Sequence, residues 1–554
     1  MMPSMRGETD LRDASSQTTV GIQDRRPVRS LLLLLVIPIA FFLISFQLTR
    51  TSGPEWLGAN FENSYVYLLN SLLIAQGKAP SHVDHPGTTT QLFGALCLLL
   101  SGHGSDDHLV DAVISNPEPF LKVMHGALLV FVALAIWICP WLMTQYSDGD
   151  VVRGILVQIP TLLFTTIFSY SIWFGSDLFL IIPSLAAISI CVFLVKRREE
   201  SGLKPSACAL AGLVCGLGIT TKLTFFPLIL VSVYCCRGLR SLIWFTIGLA
   251  LPILIVVALI HSRFEYVLHW ITGLSTHSGY YGGGEVGFAR MDTYLPDVIR
   301  LLAREPALAL IPVLSTATII VASFRATKGG NAIQQLSRTA VILFLLQLIS
   351  FLVIAKHANH HYLIVVYLST GLNLVLLYDA IGATKIQGLT TRSAVVLALL
   401  LGVCGINSFL IQLPSLYRVL RYIRTEQLAV YRRMLHTVND GVRVDYYRSV
   451  GPEFAFYFSN NFAGRGFSGI LKEKYPRALF YNIFAGTFED FDQQIDRSTV
   501  LREHDHLYFF GNPDLFNSGA FGKMKYFQSP NLHELYRQGG YSLQEWFRGE
   551  TDRE

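Results

Sequence analysis

The chain has 554 residues, 51% of them hydrophobic and only 15% charged, with a formal net charge of +5. A mean hydropathy of +0.43 and a pI near 8.7 exclude an ordinary soluble protein of this length, and so mild a basic balance requires no nucleic-acid partner. Apolar runs of membrane-crossing length recur from residue 30 to about 412, so the expected fold is a polytopic α-helical membrane protein.

Taken in chain order, residues 1–29 are a polar leader, expected to be disordered and cytoplasmic. Arg25, Arg26 and Arg29 precede an apolar run that is long for a signal peptide, and no small-x-small cleavage site follows it directly. An uncleaved first helix is expected. The candidate spans are 30–48, 120–142, 154–170, 178–195, 206–220, 223–236, 241–260, 307–324, 339–354, 363–378 and 393–412, about eleven transmembrane helices. Between them lie the basic clusters Arg153; Lys196, Arg197 and Arg198; Arg237 and Arg240; Arg325, Lys328 and Arg338; and Lys385 and Arg392. With the N-terminus inside, every cluster falls in the cytoplasm. The short apolar run 88–100 would reverse that pattern if it crossed, so it reads as a juxtamembrane or re-entrant piece.

The opposite face then collects the loops 49–119, 171–177, 261–306 and 356–362 and everything after Leu413. The tail opens with an amphipathic stretch, 415–438. It continues with β-like aromatic runs at 453–458, 478–484 and 506–510, broken by Gly, Asn and Pro. The domain plan is therefore a leader, a membrane domain over 30–412, and a small extracytoplasmic α/β or α+β domain over 413–554. All eight cysteines sit in or beside apolar runs, where thiols behave as small hydrophobes. Neither a disulfide framework nor a Cys/His metal site is expected.

Residues 60–91 read NFENSYVYLLNSLLIAQGKAPSHVDHPGTTTQ. An acid, Glu62, precedes Tyr65 and Tyr67; a short amphipathic helix follows, then Asp84-His85-Pro86-Gly87-Thr88. Ionisable residues at membrane depth are expensive and by default point to function. A carboxylate held at a bilayer surface can act as a general base or hold a divalent cation. Equally, Glu62 can serve the N-terminus of its helix, and Asp84 can form a turn before Pro86. Asp177 ends YSIWFGSD in the next outer loop, as a functional acid or as a helix cap.

Lys222, in GITTKLT between two apolar runs, can neutralise a lipid phosphate or snorkel. The late loop KHANHHY brings Lys356, His357, His360, His361 and Tyr362 to the interface. Such a set of donors suits a phosphate or pyrophosphate, and interfacial snorkelling is the plain alternative. His357 and His361 have the spacing of a zinc pair, but no third ligand or adjacent Glu accompanies them. THSGYYGGGEVG, residues 276–287, is no P-loop because no Gly-Lys-Ser/Thr follows it. It reads as a flexible connection or a loop able to close over a substrate, with His277, Tyr281 and Glu285 as secondary candidates.

Together these features resemble the GT-C superfamily of membrane glycosyltransferases, with protein O-mannosyltransferases, aminoarabinose transferases and lipopolysaccharide-core sugar transferases as the nearest kinds. In that family an acidic motif follows the first helix and a His-Pro element leads to the next membrane segment. Glu62-Asn63-Ser64-Tyr65 and Asp84-His85-Pro86-Gly87 occupy those places here. Asp177 matches a second acid in the next outer loop, and Lys356 to Tyr362 match a late basic element that contacts lipid phosphate. The Gly-rich stretch 212–222 ending in Thr-Lys is also found in such proteins.

The resemblance covers roughly residues 31–413 and rests on motif order and sidedness. The chain departs from the pattern in having Glu62 where Asp is usual, Asn60 and Asn63 where a second acid is usual, and Lys356 where Arg is frequent. The missing second acid argues against a tightly bound metal, although a divalent cation, Mg or Mn, is compatible with the family.

The resemblance implies an inverting glycosyltransferase of the inner membrane that takes a sugar from a polyprenyl-phosphate donor. The acceptor is a hydroxyl on a glycan, lipid or protein at the outer face. Glu62 is then the base, with Asp84 and Asp177 in support. His85, Lys222, Lys356, His357, His361, Tyr362, Tyr65, His277 and Glu285 bind substrate. The tail, which matches nothing of known role, would help to bind the acceptor. A polysaccharide polymerase or ligase is the rival enzyme, but it needs no acid-aromatic motif after the first helix. A transporter or flippase would place its polar groups near the midplane in repeated, broken helices. An inactive relative acting as a scaffold is the third alternative.

Overall fold

A computed structural model describes residues 31–57, 61–83, 87–102, 107–146, 149–197, 204–236, 238–278, 285–287, 289–325, 331–355, 358–383, 398–399, 401–438, 441–446, 449–483, 485–511, 531–538 and 541–548. Seven helices among them are long and apolar enough to cross a membrane: Leu31–Ser52, Pro117–Tyr146, Ser176–Lys196, Leu239–Leu259, Ala307–Phe324, Ile333–Val353 and His360–Gly382. Shorter apolar helices, Ser64–Ala75, Thr88–Leu99, Val151–Leu163, Pro205–Thr221 and Leu223–Cys235, fill the places between them.

Of the eleven expected spans, seven therefore reach full crossing length. Expected span 154–170 is broken instead. Pro160 opens a new turn and Phe164 is extended, with φ −108° and ψ 112°, which leaves Val151–Gln158, Pro160–Leu163 and Thr165–Tyr170. The last expected span, 393–412, is helical over 401–412 and is in part outside the described residues. The run after Gly87 is a helix of 12 residues, Thr88–Leu99, too short to cross.

Helices Pro205–Thr221 and Leu239–Leu259 pack backbone against backbone. A Cβ on Gly212 would sit 1.9 Å from the Phe245 carbonyl oxygen, and one on Gly248 would sit 2.0 Å from that of Ala209. Small residues let apolar helices approach this closely where no hydrophobic effect drives them together. The Gly-rich stretch 212–222 thus has a packing reason independent of any substrate.

The tail folds into a seven-stranded sheet preceded by the helix Leu413–Thr437. Its strands are β1 (Val442–Tyr446), β2 (Leu479–Asn482), β3 (Thr487–Glu489), β4 (Gln494–Ile495), β5 (His506–Gly511), β6 (Leu532–Gln538) and β7 (Tyr541–Phe547), in the order β4-β3-β2-β1-β5-β7-β6. β1 runs parallel to both β2 and β5, and the outer pairs are antiparallel. Strand alternation divides the faces: Val444, Tyr446, Leu479, Tyr481, Leu507 and Phe509 form one core, while Phe480 and Phe510 join the core of the helical bundle.

The expected β-like run 453–458 is instead the middle of a helix, Pro452–Phe462. Pro452 begins it after Gly451, and Phe454, Ala455, Phe456 and Tyr457 are all buried because the helix is enclosed on both sides. Phe454 and Tyr457 meet Phe480 of the sheet, while Phe456 meets Tyr65 of the helix Phe61–Ala75 edge-on at 5.2 Å. The C-terminal domain is thus seated on the first loop of the membrane domain.

Candidate functional site

Helix Ser176–Phe179 begins after the extended Gly175 and carries Asp177 in its first turn. Lys222 ends the helix Pro205–Thr221 in an extended conformation, φ −160° and ψ 134°, before the turn Leu223–Phe225. That break in the helix turns the lysine side chain inward. Its Nζ donates to Asp177 Oδ1 at 2.5 Å, and both residues are buried. The ammonium also lies 4.9 Å from the centre of the Tyr362 ring. His361 packs on Tyr362 with centroids 3.9 Å apart, and Tyr170 Oη is 3.3 Å from His361 Nδ1. Four residues picked from three separate segments, Asp177, Lys222 and the adjacent His361 and Tyr362, therefore meet, and Tyr170 closes the group.

The first loop reaches the same place. The Tyr67 ring stands edge-on to Phe174, three residues before Asp177, at 6.3 Å. Gly87 fits against Tyr67 so closely that a Cβ there would be 2.5 Å from the tyrosine oxygen. Thr89 Oγ1 donates to Thr220 Oγ1 at 2.9 Å, two residues before Lys222. The chain leaving residues 84–86 is thereby held against both halves of the ion pair. The hydroxyls of Thr88 and Thr90 are buried there with no hydrogen-bond partner among the described residues.

Asp84, His85, Lys356 and His357 lie outside the described residues, as does the side chain of Glu62. The helix Phe61–Ala75 places Glu62 in its first turn. Among the described residues no three His, Cys, Asp or Glu side chains gather to hold a metal ion. Tyr65, expected to face substrate, is instead fully buried: its hydroxyl donates to Glu118 Oε1 at 3.2 Å and its ring packs on Phe456. His277 and Glu285 flank a small antiparallel ladder in which Ser278 N–H donates to the Glu285 carbonyl at 2.8 Å. Both are exposed or half-exposed, beyond the helix Phe264–Thr276. Tyr281 is outside the described residues.

Sequence reasoning missed a second acidic group beneath the first loop. Glu55 is buried, accepts from Ser64 Oγ at 2.7 Å and lies 3.6 Å from His125 Nδ1. Its own N–H donates to the Glu118 carboxylate at 3.2 Å. Burial pushes the Glu55 carboxyl up to about 7, with the Ser64 hydrogen bond and Lys122 opposing. Ser64 is two residues from Glu62, so this group anchors the first turn of the helix that carries Glu62. The available signal was an acid directly after the first span, the same signal that marked Glu62. Glu305 is a third such acid. It accepts from Thr166 N–H and Oγ1 at 3.2 and 3.1 Å, and burial raises it to about 7.

The sequence matches no protein-family model, and no curated protein matches it. In fold it is similar to two crystal structures of ArnT from Cupriavidus metallidurans. Against the apo form the TM-score is 0.49 at 10% identity, and against the form bound to undecaprenyl phosphate it is 0.48 at 11% identity. Each comparison covers 93% of this chain and 97% of the other. At this level of similarity, function has to be read from the site's own geometry.

Proposed function

We propose that this chain is a multi-pass membrane glycosyltransferase that moves a sugar from a polyprenyl-phosphate donor to a hydroxyl acceptor at the outer face of the plasma membrane. The observation that carries the reading is the convergence of Asp177, Lys222, His361 and Tyr362 beside Gly87, at the end of the bundle where the polar loops gather. A buried cation with spare donors among aromatic rings suits a phosphate that arrives on an apolar tail.

Glu62 is the base in this reading. It takes the proton of the acceptor hydroxyl as that oxygen attacks the anomeric carbon. The bond from that carbon to the phosphate oxygen breaks, the electron pair leaves with the polyprenyl phosphate, and the configuration inverts. Lys222 and His361, with Lys356 and His357 from the same late loop, offset the leaving phosphate's charge, and Tyr362 orients the ammonium. Asp177 holds Lys222 in place, and Asp84 and His85 complete the acceptor side. His277 and Glu285 belong to a loop able to close over the sugar. In this reading the C-terminal domain, seated on the Glu62 helix, helps to bind the acceptor.

The test is transfer of label from polyprenyl-phosphate sugars in membranes that lack or overproduce the protein, with Glu62→Gln as the control. Label entering glycan, lipid or protein only with intact Glu62 supports the reading. Undiminished transfer by Glu62→Gln removes Glu62 as base. No transfer from any donor by well-folded protein favours a transporter or scaffold.

A further inference from the structure

The helix Leu413–Thr437 carries Arg418, Arg421, Arg424, Arg432 and Arg433, all exposed, against one acid, Glu426. Its buried residues Leu420, Val430 and Met434 face the protein. Arg418, Arg421 and Arg424 recur every third residue and so share one side, with Tyr417, Val419 and Tyr422 exposed around them. Among the described residues none of these three arginines makes an ion pair. Arg424 donates to the Arg50 carbonyl at 2.9 Å, and Arg418 to the Pro414 carbonyl at 3.3 Å.

Two contacts fix how this helix runs. At its start Gln412 Nε2 donates to the carbonyl of Arg304, three residues before the span Ala307–Phe324. At Arg424 it meets Arg50, in the last turn of the span Leu31–Ser52. Both span ends lie at the same end of the bundle. Glu305 accepts from Thr166, and Ser171, five residues on from Thr166, donates to Ser45 near the end of the first span. Twelve helical residues, roughly 18 Å, thus connect two points at one membrane surface. The helix runs along that surface rather than away from it. Arg304 and Arg50, both exposed, extend its arginine row at either end.

We propose that Leu413–Thr437 is an in-plane surface helix whose strip of Arg304, Arg418, Arg421, Arg424 and Arg50 binds the anionic lipid headgroups of the adjoining leaflet. Charge complementarity selects the partner: a row of unneutralised guanidinium groups with tyrosines beside it, at headgroup depth, fits phosphates set in a lipid surface. The inference stands apart from the proposed sugar transfer.

The experiment measures binding of phosphatidylglycerol and phosphatidylcholine to the full-length protein in neutral detergent. Wild type is compared with Arg418→Gln/Arg421→Gln/Arg424→Gln and with the same three positions changed to Lys. Expected are a preference of wild type for phosphatidylglycerol that weakens with added salt, a roughly 100-fold loss in the Gln variant, and retention in the Lys variant. Equal binding of the two lipids by wild type, or unchanged phosphatidylglycerol binding by a Gln variant with the wild-type melting temperature, overturns the proposal. Should the Gln variant not fold, the salt titration of wild type decides: binding that salt does not weaken overturns it.

Discussion

Two paired cations in this protein are satisfied in different ways. In the C-terminal domain, Arg443 donates Nε to Asp445 at 2.9 Å and one terminal nitrogen to Met434 Sδ at 3.7 Å, and its other terminal nitrogen forms an ion pair with Glu453 at 3.0 Å. Asp445 in turn accepts from Ser449 Oγ at 2.6 Å. Lys222 has one acid, Asp177, and one ring, Tyr362, with a third ammonium proton that no hydrogen bond among the described residues uses. A cation set between two acids, with a partner at each of its nitrogens, holds a fold together. A cation left with donors to spare, at the end of a bundle where loops converge, is placed to meet something that arrives.

The largest expected effect tests the saturated half of this contrast. Arg443→Met leaves the buried Asp445 and the half-buried Glu453 without their cation, which costs on the order of 3–5 kcal/mol of stability. It should be read as a large fall in melting temperature, with transfer per folded molecule unchanged. A specific loss of transfer at full stability would erase the distinction between the two cations.

Glu55 offers a third solution, an acid that keeps its proton. Its folded-state pKa, about 7, lies above the ordinary glutamate value of 4.5, so the native state binds the proton more tightly than the unfolded chain. The stabilising contribution is fully present below about 4.5 and is lost as pH rises through about 7. Glu55→Gln should remove this group's share of the pH dependence between those limits, on the order of 3 kcal/mol. The share of Glu305, which responds in the same direction, stays. Denaturant melts at pH 5 and pH 8 measure it. A variant whose stability still falls by as much as wild type would show that Glu55 is already ionised at pH 5.

The contrast also marks what was legible in the sequence. Apolar runs gave seven of the eleven expected spans, because composition and length decide membrane crossing. Asp177, Lys222, His361 and Tyr362 stood out because each interrupts or borders such a run. That Asp177 pairs with Lys222 did not, since 45 residues separate them and no periodicity relates one loop to another. Glu55 was hidden by Gly53 and Pro54, which make it look like part of a turn. The run 453–458 looked like a strand because both of its faces are apolar. A helix enclosed on two sides loses the period by which a helix is normally recognised.

Breaking the unsaturated half has a smaller expected effect. Lys222→Met strips the buried Asp177 of its cation and so also lowers stability; per folded molecule it should reduce transfer roughly 10- to 100-fold, the size of a charge-assisted hydrogen bond, with the loss falling mainly on donor affinity. Lys222→Arg should keep part of the activity. Kinetics at varied donor concentration separate the two outcomes. A Met variant with wild-type donor affinity would leave Lys222 a structural partner of Asp177, no different in kind from Arg443.

The smallest effect concerns how the first loop is held against Lys222. Gly87 has φ −98°, a conformation open to any residue, so its backbone does not require glycine. The constraint is contact: a Cβ would lie 2.5 Å from Tyr67 Oη and 2.6 Å from a carbon of its ring. Gly87→Ala should therefore cost about 1–3 kcal/mol by overpacking and displace the chain leaving residues 84–86. Tyr67→Leu removes the ring, so the double variant should be more stable than the sum of the two single changes predicts. Strict additivity in a double-mutant cycle would mean that Gly87 and Tyr67 do not meet. The Gly87–Tyr67–Phe174 path from the Glu62 loop to Asp177 would then be absent, and with it the reason for treating Lys222 differently from Arg443.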